Sequence, residues 1–533
     1  MFKEKISSYC KFIFSFLFLP ALAGALCGGV VFLFKVAAGF VIEKSHFIYA
    51  MAKTSAVSMV IFFATVVLLS VLSAFILNKV PDARGGGIPS AVTILRGLVR
   101  FNWWKSLIFT FFSSLITFFS GIPLGNEGPS VQMGAAIGKM TVRMFGEKHK
   151  ALDRYVMTGG ASAGFAVATG APVAGVFFAL EEAHRRFTPT ILITATVSVL
   201  AGFFTANLLS IVTGITTASL VFPAPAEITL SQAWIAPVAG IASGLLSIGV
   251  YAIFSVGRRL RKNIEKINYY LKYLFIFLLT AVLGLFIPYV TGTGHGIIES
   301  LFESDVTWYM LALVLVIRCI LASSANNLGI TGGLFVPLIA FGAVGGALTA
   351  KLLISLGAID SSMFATVVIM SVAAFLGASL KTPITAIIFV TEISGSVTNL
   401  GYTLLAVLTA YMLLEFFNVP STNDVVIESK IAKVNAGKKK TSGEASLTVM
   451  KGSHVIGREP RDILWPNSCF VLGVNENQKS KHGVYFAEGD VIHFRFDTFD
   501  IERIRRELTE LLGKQELPDE LFSEEELEAM NVK

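Results

Sequence analysis

The sequence predicts a polytopic α-helical membrane protein, built from two related halves of broken helices and followed by a small α/β domain. Two observations carry that prediction. The first is compositional: the chain is 54% hydrophobic and only 15% charged, with a mean hydropathy of +0.70, whereas soluble proteins carry about 25% charge. Apolar runs fill most of the first 420 positions, at Phe12–Phe34, Val57–Leu77, Leu107–Phe119, Ile191–Val212, Ala236–Phe254, Tyr273–Val290, Met310–Leu321, Leu334–Leu353 and Leu404–Phe417. Several approach the roughly 20 residues that span a bilayer, and the shorter ones suit broken or re-entrant helices. The second is a repeat: a G-x3-P-x4-G skeleton runs from Gly125 to Gly134 and again from Gly333 to Gly342, 208 residues on. Pro172 precedes Glu181 by nine residues and Pro383 precedes Glu392 by nine, with the prolines 211 apart. Paired Gly/Pro-interrupted segments in two halves of a membrane chain point to a substrate site near the bilayer midplane.

The repeat places the halves at about 10–215 and 232–425. Lys3 and Lys5 ahead of an apolar run ending in Ala21-Leu22-Ala23 look like a secretion signal, but the many spans that follow favour a first membrane helix. Lys/Arg clusters at Arg258–Lys262, Lys148–Arg154 and Arg185-Arg186 mark cytoplasmic loops and account for most of the +7 charge. No basic stripe lies on a soluble module, so a nucleic-acid partner is not expected. Cys10, Cys27, Cys319 and Cys469 are scattered without a C-x-x-C pair, and the seven histidines lack ligand spacing, so neither a metal nor a disulfide framework is expected. His184, in His184-Arg185-Arg186, reads as part of a solvated basic cluster.

Past Pro420–Asp424 the composition changes. Lys438–Gly443 reads as part of a solvated linker over 426–445. Strand-like runs at Leu447–Met450, Cys469–Val474, Val484–Phe486 and Val491–Phe496, separated by turn residues, predict a small module over 446–513. Ile501–Leu512 reads as its amphipathic helix, with Ile501, Ile504, Leu508 and Leu511 on one face. The tail, 514–533, is acidic.

Three segments carry the chemistry: Gly86-Gly87-Ile88-Pro89, Gly125–Pro129 and Gly333–Pro337. In each, small residues lead through a proline into helix-forming sequence. Proline fits a first helical turn, where its missing N–H is unpaired anyway, and glycine lets backbone approach a ligand. A helix beginning mid-membrane leaves N–H groups without intrahelical acceptors. With the positive end of the macrodipole, they form an anion site that needs no full positive charge. Glu127 lies within such a start, and a carboxylate at that depth implies function. Ionised, it can occupy the anion site; protonated, it can leave. Glu181 and Glu182 close the stretch that begins at Pro172. Adjacent residues point about 100° apart on a helix, so one can face the interior while the other pairs outward. Glu392 reads as a buried structural carboxylate, with Arg318 and Lys381 as partners or as helix-end charges.

At these residues the sequence resembles the CLC chloride channel and transporter family. The signatures G-G-G-I-P at Gly85–Pro89, G-N-E-G-P at Gly125–Pro129 and G-G-L-F-V-P at Gly332–Pro337 occur in order, and the resemblance covers about residues 10–425. It implies two inverted repeats of broken, tilted helices, a homodimer in the cell membrane, and one anion pathway per subunit. It also implies that Gly86, Gly87, Ile88, Gly128, Leu334 and Phe335 hold the anion, together with Thr422. Glu127 matches the family's gating glutamate. Glu182, 55 residues later, matches the inner glutamate that passes protons to the cytoplasm in exchangers and that channel members usually lack. The resemblance therefore implies chloride/proton antiport with no cofactor, with a passive anion channel as the alternative. Three departures stand out. Gly86 replaces a serine (or a proline), Asn126 replaces an arginine, and Thr422 or Asn423 stands where a pore tyrosine is expected. Without both hydroxyls, the inner constriction should be wider or differently built.

The tail module resembles the TrkA-C (RCK C-terminal) domain at Gly457-Arg458, Leu464-Trp465-Pro466, Val471–Val474 and Ala487–Ile492. That resemblance implies a cytoplasmic assembly module, or one that binds a small regulator such as a cyclic dinucleotide. An intramembrane enzyme is not expected, because H-E-x-x-H and G-x-S-x-G elements are missing. A sodium-coupled solute carrier would also use broken helices, but repeated G-x3-P starts favour a small anion.

Overall fold

The computed structural model describes residues 12–85, 87–99, 101–146, 151–217, 220–304, 306–474, 485–513 and 515. Gly86 therefore lies outside the described residues, as do Val484 and all of the acidic tail except Gln515. Eight of the described helices are long and apolar enough to cross a membrane. The first, Leu19–Ala52 (α1), follows a π-helical turn at Phe14–Phe18. Together they make a 39-residue span, about twice what a perpendicular crossing requires. An apolar run that stops at Phe34 gives no hint of that length, because α1 continues through Lys35.

Then come Ala56–Lys79 (α2), Ile88–Leu95 (α3), Trp103–Phe119 (α4), Glu127–Met144 (α5), Asp153–Thr169 (α6), Pro172–Phe177 (α7) and Pro189–Thr213 (α8). The following stretch holds Ile235–Asn263 (α9), Tyr269–Phe286 (α10), His295–Glu303 (α11), Trp308–Leu328 (α12), Phe335–Ser355 (α13), Phe364–Leu380 (α14), Pro383–Ser394 (α15) and Leu400–Phe416 (α16). The repeat seen in the skeletons extends to helix boundaries. α5 and α13 start 208 residues apart, α6 and α14 start and end 211 apart, and α7 and α15 start 211 apart. The caps agree too. Asn126 and Leu334 share φ/ψ of −90/−13° and −92/−7°, and Gly170 and Lys381 are both left-handed. Lys381 takes that conformation without glycine's freedom.

The core is helix against helix at close range. A Cβ added at Gly134 would lie 2.1 Å from Gly160 O, and one at Gly164 would lie 2.3 Å from Ser130 O. Glycine there lets α5 and α6 touch backbone to backbone, as small residues do between membrane helices.

Thr422–Asn435 (α17) then leads to a three-stranded antiparallel sheet of Thr441–Thr448 (β1), Cys469–Val474 (β2) and Val491–Thr498 (β3), in the order β1-β3-β2. The stretch expected as a linker, 426–445, is thus helix to Asn435 and strand from Thr441. The strand expected at Leu447–Met450 is only the end of β1, and Tyr485-Phe486 are not strand. Ile492, Phe494 and Phe496 of β3 face one side of the sheet, where they bury Ile504, Leu508, Leu511 and Leu512 of Ile501–Leu512 (α18) together with Trp465 and Phe486.

This module docks on the membrane part of the same chain. Arg154 at the start of α6 donates to Leu95 O at the end of α3 (3.1 Å), and to Leu464 O (3.0 Å) and Trp465 O (2.8 Å) in the module. The Tyr155 hydroxyl donates to Asp462 O (2.9 Å) and accepts from Leu464 N (2.8 Å).

Candidate anion and proton site

The two copies of the repeated skeleton meet. Gly125 N donates to Gly333 O (2.7 Å) and Gly333 N donates to Gly125 O (2.8 Å), forming an antiparallel bridge. A Cβ at Gly333 would lie 2.7 Å from Gly128 N, a backbone atom that cannot swing away, so glycine is required there; one at Gly125 would lie 2.5 Å from Glu127 Oε2 and displace that carboxylate. From this bridge α5 and α13 run away, each with a proline at its third residue. Neither start has a side-chain cap. Ser130 N and Leu338 N are the first amides to find acceptors in the preceding turn. The N–H groups of Glu127, Gly128, Phe335 and Val336 therefore converge without intrahelical acceptors, as helix geometry dictates.

Glu127 is 2% exposed. Its carboxylate lies beside its own N–H and that of Val336, so the acid of one half sits at the helix start of the other. Oε2 has no hydrogen-bond partner among the described residues. Gly128, Leu334 and Phe335, all expected here, are at this junction and buried. Gly87 and Ile88 are one step away. Ile88 opens α3 behind Gly87, which has no side chain to cap the start. Gly85 N donates to Gly329 O (2.9 Å), and Gly332 N donates to Gly85 O (3.4 Å), holding the first signature against the third.

Glu182 lies on a π-helical turn, Phe178–Ala183, and is 6% exposed. It accepts a hydrogen bond from Asn423 Nδ2. The Arg96 guanidinium donates to Glu182 O (3.0 Å) and Ala183 O (2.8 Å), closing that turn. Glu181 does something else: it accepts from Ile384 N (3.0 Å), Thr385 N (2.7 Å) and Thr385 Oγ1 (2.6 Å), capping α15. Glu392 reciprocates, accepting from Val173 N and Ala174 N (both 2.8 Å) to cap α7. Glu392 is thus half-buried rather than buried, and it pairs with amides. Arg318 instead donates to Tyr289, Thr291 and Gly292 carbonyls, and Lys381 pairs with Glu415 at 2.8 Å. His184 is also not solvated; it is buried, with Nε2 2.7 Å from Thr158 Oγ1.

An aromatic cluster links Phe335 at the start of α13 to Phe178 on the turn that carries Glu182. Phe335 packs edge-on against Phe165 (5.0 Å) and Phe389 (5.1 Å), and Phe165 stacks on Phe178 (5.2 Å). Thr422 is buried at the start of α17, but Asn423 is the residue that reaches Glu182. One further residue escaped sequence reasoning. Lys430 of α17 donates from Nζ to Ser90 Oγ on α3, and a Cβ on Gly85 would be 3.6 Å from that Nζ. A cation thus stands beside the first signature, and only the turn count from Thr422 could have suggested it.

Residues 69–415 match the family described as voltage gated chloride channel. The chain belongs to that family. Among curated relatives, the H(+)/Cl(-) exchange transporter ClcA of Vibrio campbellii is 27% identical over 413 residues, covering 74% of this chain and 86% of the relative. That of Vibrio vulnificus is 28% identical over 394 residues, covering 72% and 82%. Among solved structures, a slow cyanobacterial Cl-/H+ antiporter superposes with a TM-score of 0.73 at 22% identity, over 79% of this chain and 99% of that one. A CLC-type fluoride/proton antiporter gives 0.62 at 20% identity, over 75% and 95%. These likenesses establish the fold. With the eight apolar helices, family membership makes this a multi-pass membrane protein.

Proposed function

We propose that this member of the family exchanges chloride for protons, with Glu127 as the gating acid and Glu182 as the inner proton acid. The observation that carries the reading is the Glu127 carboxylate lying beside the Val336 N–H where the two signatures cross. There it occupies an anion's place, while Gly128 and Phe335 keep amides for chloride. Protonation removes its attraction for those donors, so the acid leaves and chloride enters. Glu182, buried 55 residues on, gives protons a second station that a passive channel does not need. Relatives named as H(+)/Cl(-) exchange transporters support the same reading.

The halves are inverted repeats around this site: the reciprocal Gly125–Gly333 bridge and the reciprocal Glu181 and Glu392 caps are the contacts a pseudo-twofold axis produces. The protein works as a homodimer in the cell membrane. Its C-terminal module is cytoplasmic and TrkA-C-like, joined through Arg154 to α3. A cavity of about 630 Å³ at that junction, lined by Leu98, Ile431, Lys438, Lys440, Asp497 and Arg503 among others, is the place for a small regulatory ligand such as a cyclic dinucleotide.

Reconstituted protein under a chloride gradient should drive protons uphill. Glu182→Gln should abolish proton movement while chloride still flows. Chloride flux in the native protein without uphill proton transport would leave the passive channel as the better reading.

A further inference from the structure

Lys35 is a cation in the wrong place for structure alone. It lies in the middle of α1, is 7% exposed, and has Phe34 and Ala38 beside it in an apolar cluster that includes Met133 of α5. Its one hydrogen bond runs from Nζ to Val167 O on α6, at 3.2 Å. No carboxylate lies within salt-bridge distance among the described residues. An ammonium so buried is costly unless a charge answers it. The carboxylate that answers it is Glu127, the first residue of α5, the helix whose Met133 packs in one cluster with Phe34. Of the other groups nearby, His295 has its Nδ1 2.9 Å from Thr293 Oγ1, and the Arg318 guanidinium is engaged by the three carbonyls described above. Glu127, for its part, has an Oε2 without a hydrogen-bond partner. The two groups interact across a gap rather than locking together, and the acid stays free to move.

We propose that Lys35 is the fixed countercharge of the anion site, and that it ties chloride entry to protonation of Glu127. The Lys35 ammonium is balanced by one anion, while the Arg318 guanidinium, held by its three carbonyls, keeps its charge unchanged throughout. With Glu127 ionised, the carboxylate supplies that charge and chloride is a second, unbalanced anion. With Glu127 protonated, the site is short of one negative charge, and chloride at the Gly128 and Phe335 amides restores neutrality. The cluster has the same net charge in both states, so exchanging carboxylate for chloride plus a proton carries little electrostatic penalty. Lys35 acts through Glu127 and the anion without touching either, and is a positioning residue in that sense. This inference rests on the reading of Glu127 given above.

The test uses full-length protein, with chloride binding measured by titration calorimetry and the proton-to-chloride ratio measured in proteoliposomes. Lys35→Gln keeps a donor for Val167 O and removes the charge. A unit charge several Å away, at the effective dielectric of protein interiors, is worth roughly tenfold in an equilibrium constant. With Glu127 neutral, at acid pH or in the Glu127→Gln background, Lys35→Gln is therefore expected to weaken chloride binding about tenfold, and Lys35→Arg to restore it to within about twofold of native. Should Lys35→Gln not fold, Lys35→Met, which replaces the buried ammonium with an apolar chain, is read the same way. Native chloride affinity in the neutral variant under the same conditions would overturn the inference. Glu127→Gln separates the two claims. If it leaves the ratio unchanged, the reading of Glu127 falls and the inference falls with it. If it uncouples protons while the neutral Lys35 variant binds chloride like native protein, the countercharge alone is refuted.

Discussion

Gly333→Ala tests the junction of the two signatures most directly. The new methyl would sit 2.7 Å from Gly128 N, 3.1 Å from Gly128 Cα and 3.3 Å from Gly125 O. The closest of these is about 0.7 Å short of ordinary contact, and all three neighbours are backbone. No side chain can swing away, so the two loops must part. Moved by that amount, the Gly125–Gly333 hydrogen bonds at 2.7 and 2.8 Å lengthen past the range in which such bonds hold. Two bonds at about 0.5–1.5 kcal/mol each and overpacking at about 1–3 kcal/mol give a loss of roughly 2–6 kcal/mol. The methyl also covers the Gly128 amide. A hydrogen bond to a charged acceptor contributes about 1.5–3 kcal/mol, so chloride binding is expected to weaken by roughly tenfold to a hundredfold. The assay pairs thermal unfolding in detergent with chloride titration. Gly39→Ala is the control, because nothing lies within 4 Å of a Cβ there. Native affinity and an unmoved midpoint in Gly333→Ala would refute the claim that backbone at this crossing holds the anion.

Glu392→Ala leaves two amides of α7 without acceptors and is expected to cost about 1–3 kcal/mol, read as a lowered unfolding midpoint; an unmoved midpoint would contradict the capping role. In the C-terminal module, burial pushes the Cys469 thiol from its ordinary value of 9.0 up to about 12, so maleimide should not label it at pH 8 until the module unfolds. Because the folded thiol holds its proton more tightly than the unfolded one, this group's contribution to stability is complete below about pH 9 and is lost as pH rises toward 12. Rapid labelling of native protein at Cys469 would contradict that burial.

What could be read from the sequence was local. A glycine that must accept backbone contact and a proline that must open a helix are marked by the residues themselves, so Gly125–Pro129 and Gly333–Pro337 announce their helix starts, and Glu127 inherits its place from them. The roles of Glu181 and Glu182 were not legible in this way. Adjacency says that they diverge, but which one turns inward depends on where α15 begins, 203 residues on at Ile384. His184 fails for the same reason. Two arginines beside it suggest solvent, yet Thr158 and the close approach of α6 bury it. Lys35 and Lys430 carry no motif at all. Each is a single cation whose meaning comes from a helix packed beside it, α5 for one and α3 for the other. The module's strands were found to within a few residues where apolar alternation was strong, as in β3. They were missed where β1 begins in Thr441-Ser442-Gly443, a stretch whose polar residues read as linker.

The placement of charge explains why the site is made of amides. A lysine or arginine in contact with chloride would hold it too firmly for fast release, whereas in the proposed site convergent N–H groups would supply partial charge and let Glu127 compete on nearly equal terms. Full charges are kept one shell further out: Lys35 on the α1 side and Lys430 on the α3 side. In the inference drawn above, Lys35 shifts the balance between carboxylate and chloride from there without contacting either. The same economy leaves a gap for protons. Phe165, Phe178, Phe335 and Phe389 pack against one another and offer no titratable atom, so under the proposed function a proton passing between the two acids would need water. Under the same proposal chloride binds at the amide of the residue whose ring belongs to this cluster, so anion occupancy and proton passage would meet at Phe335.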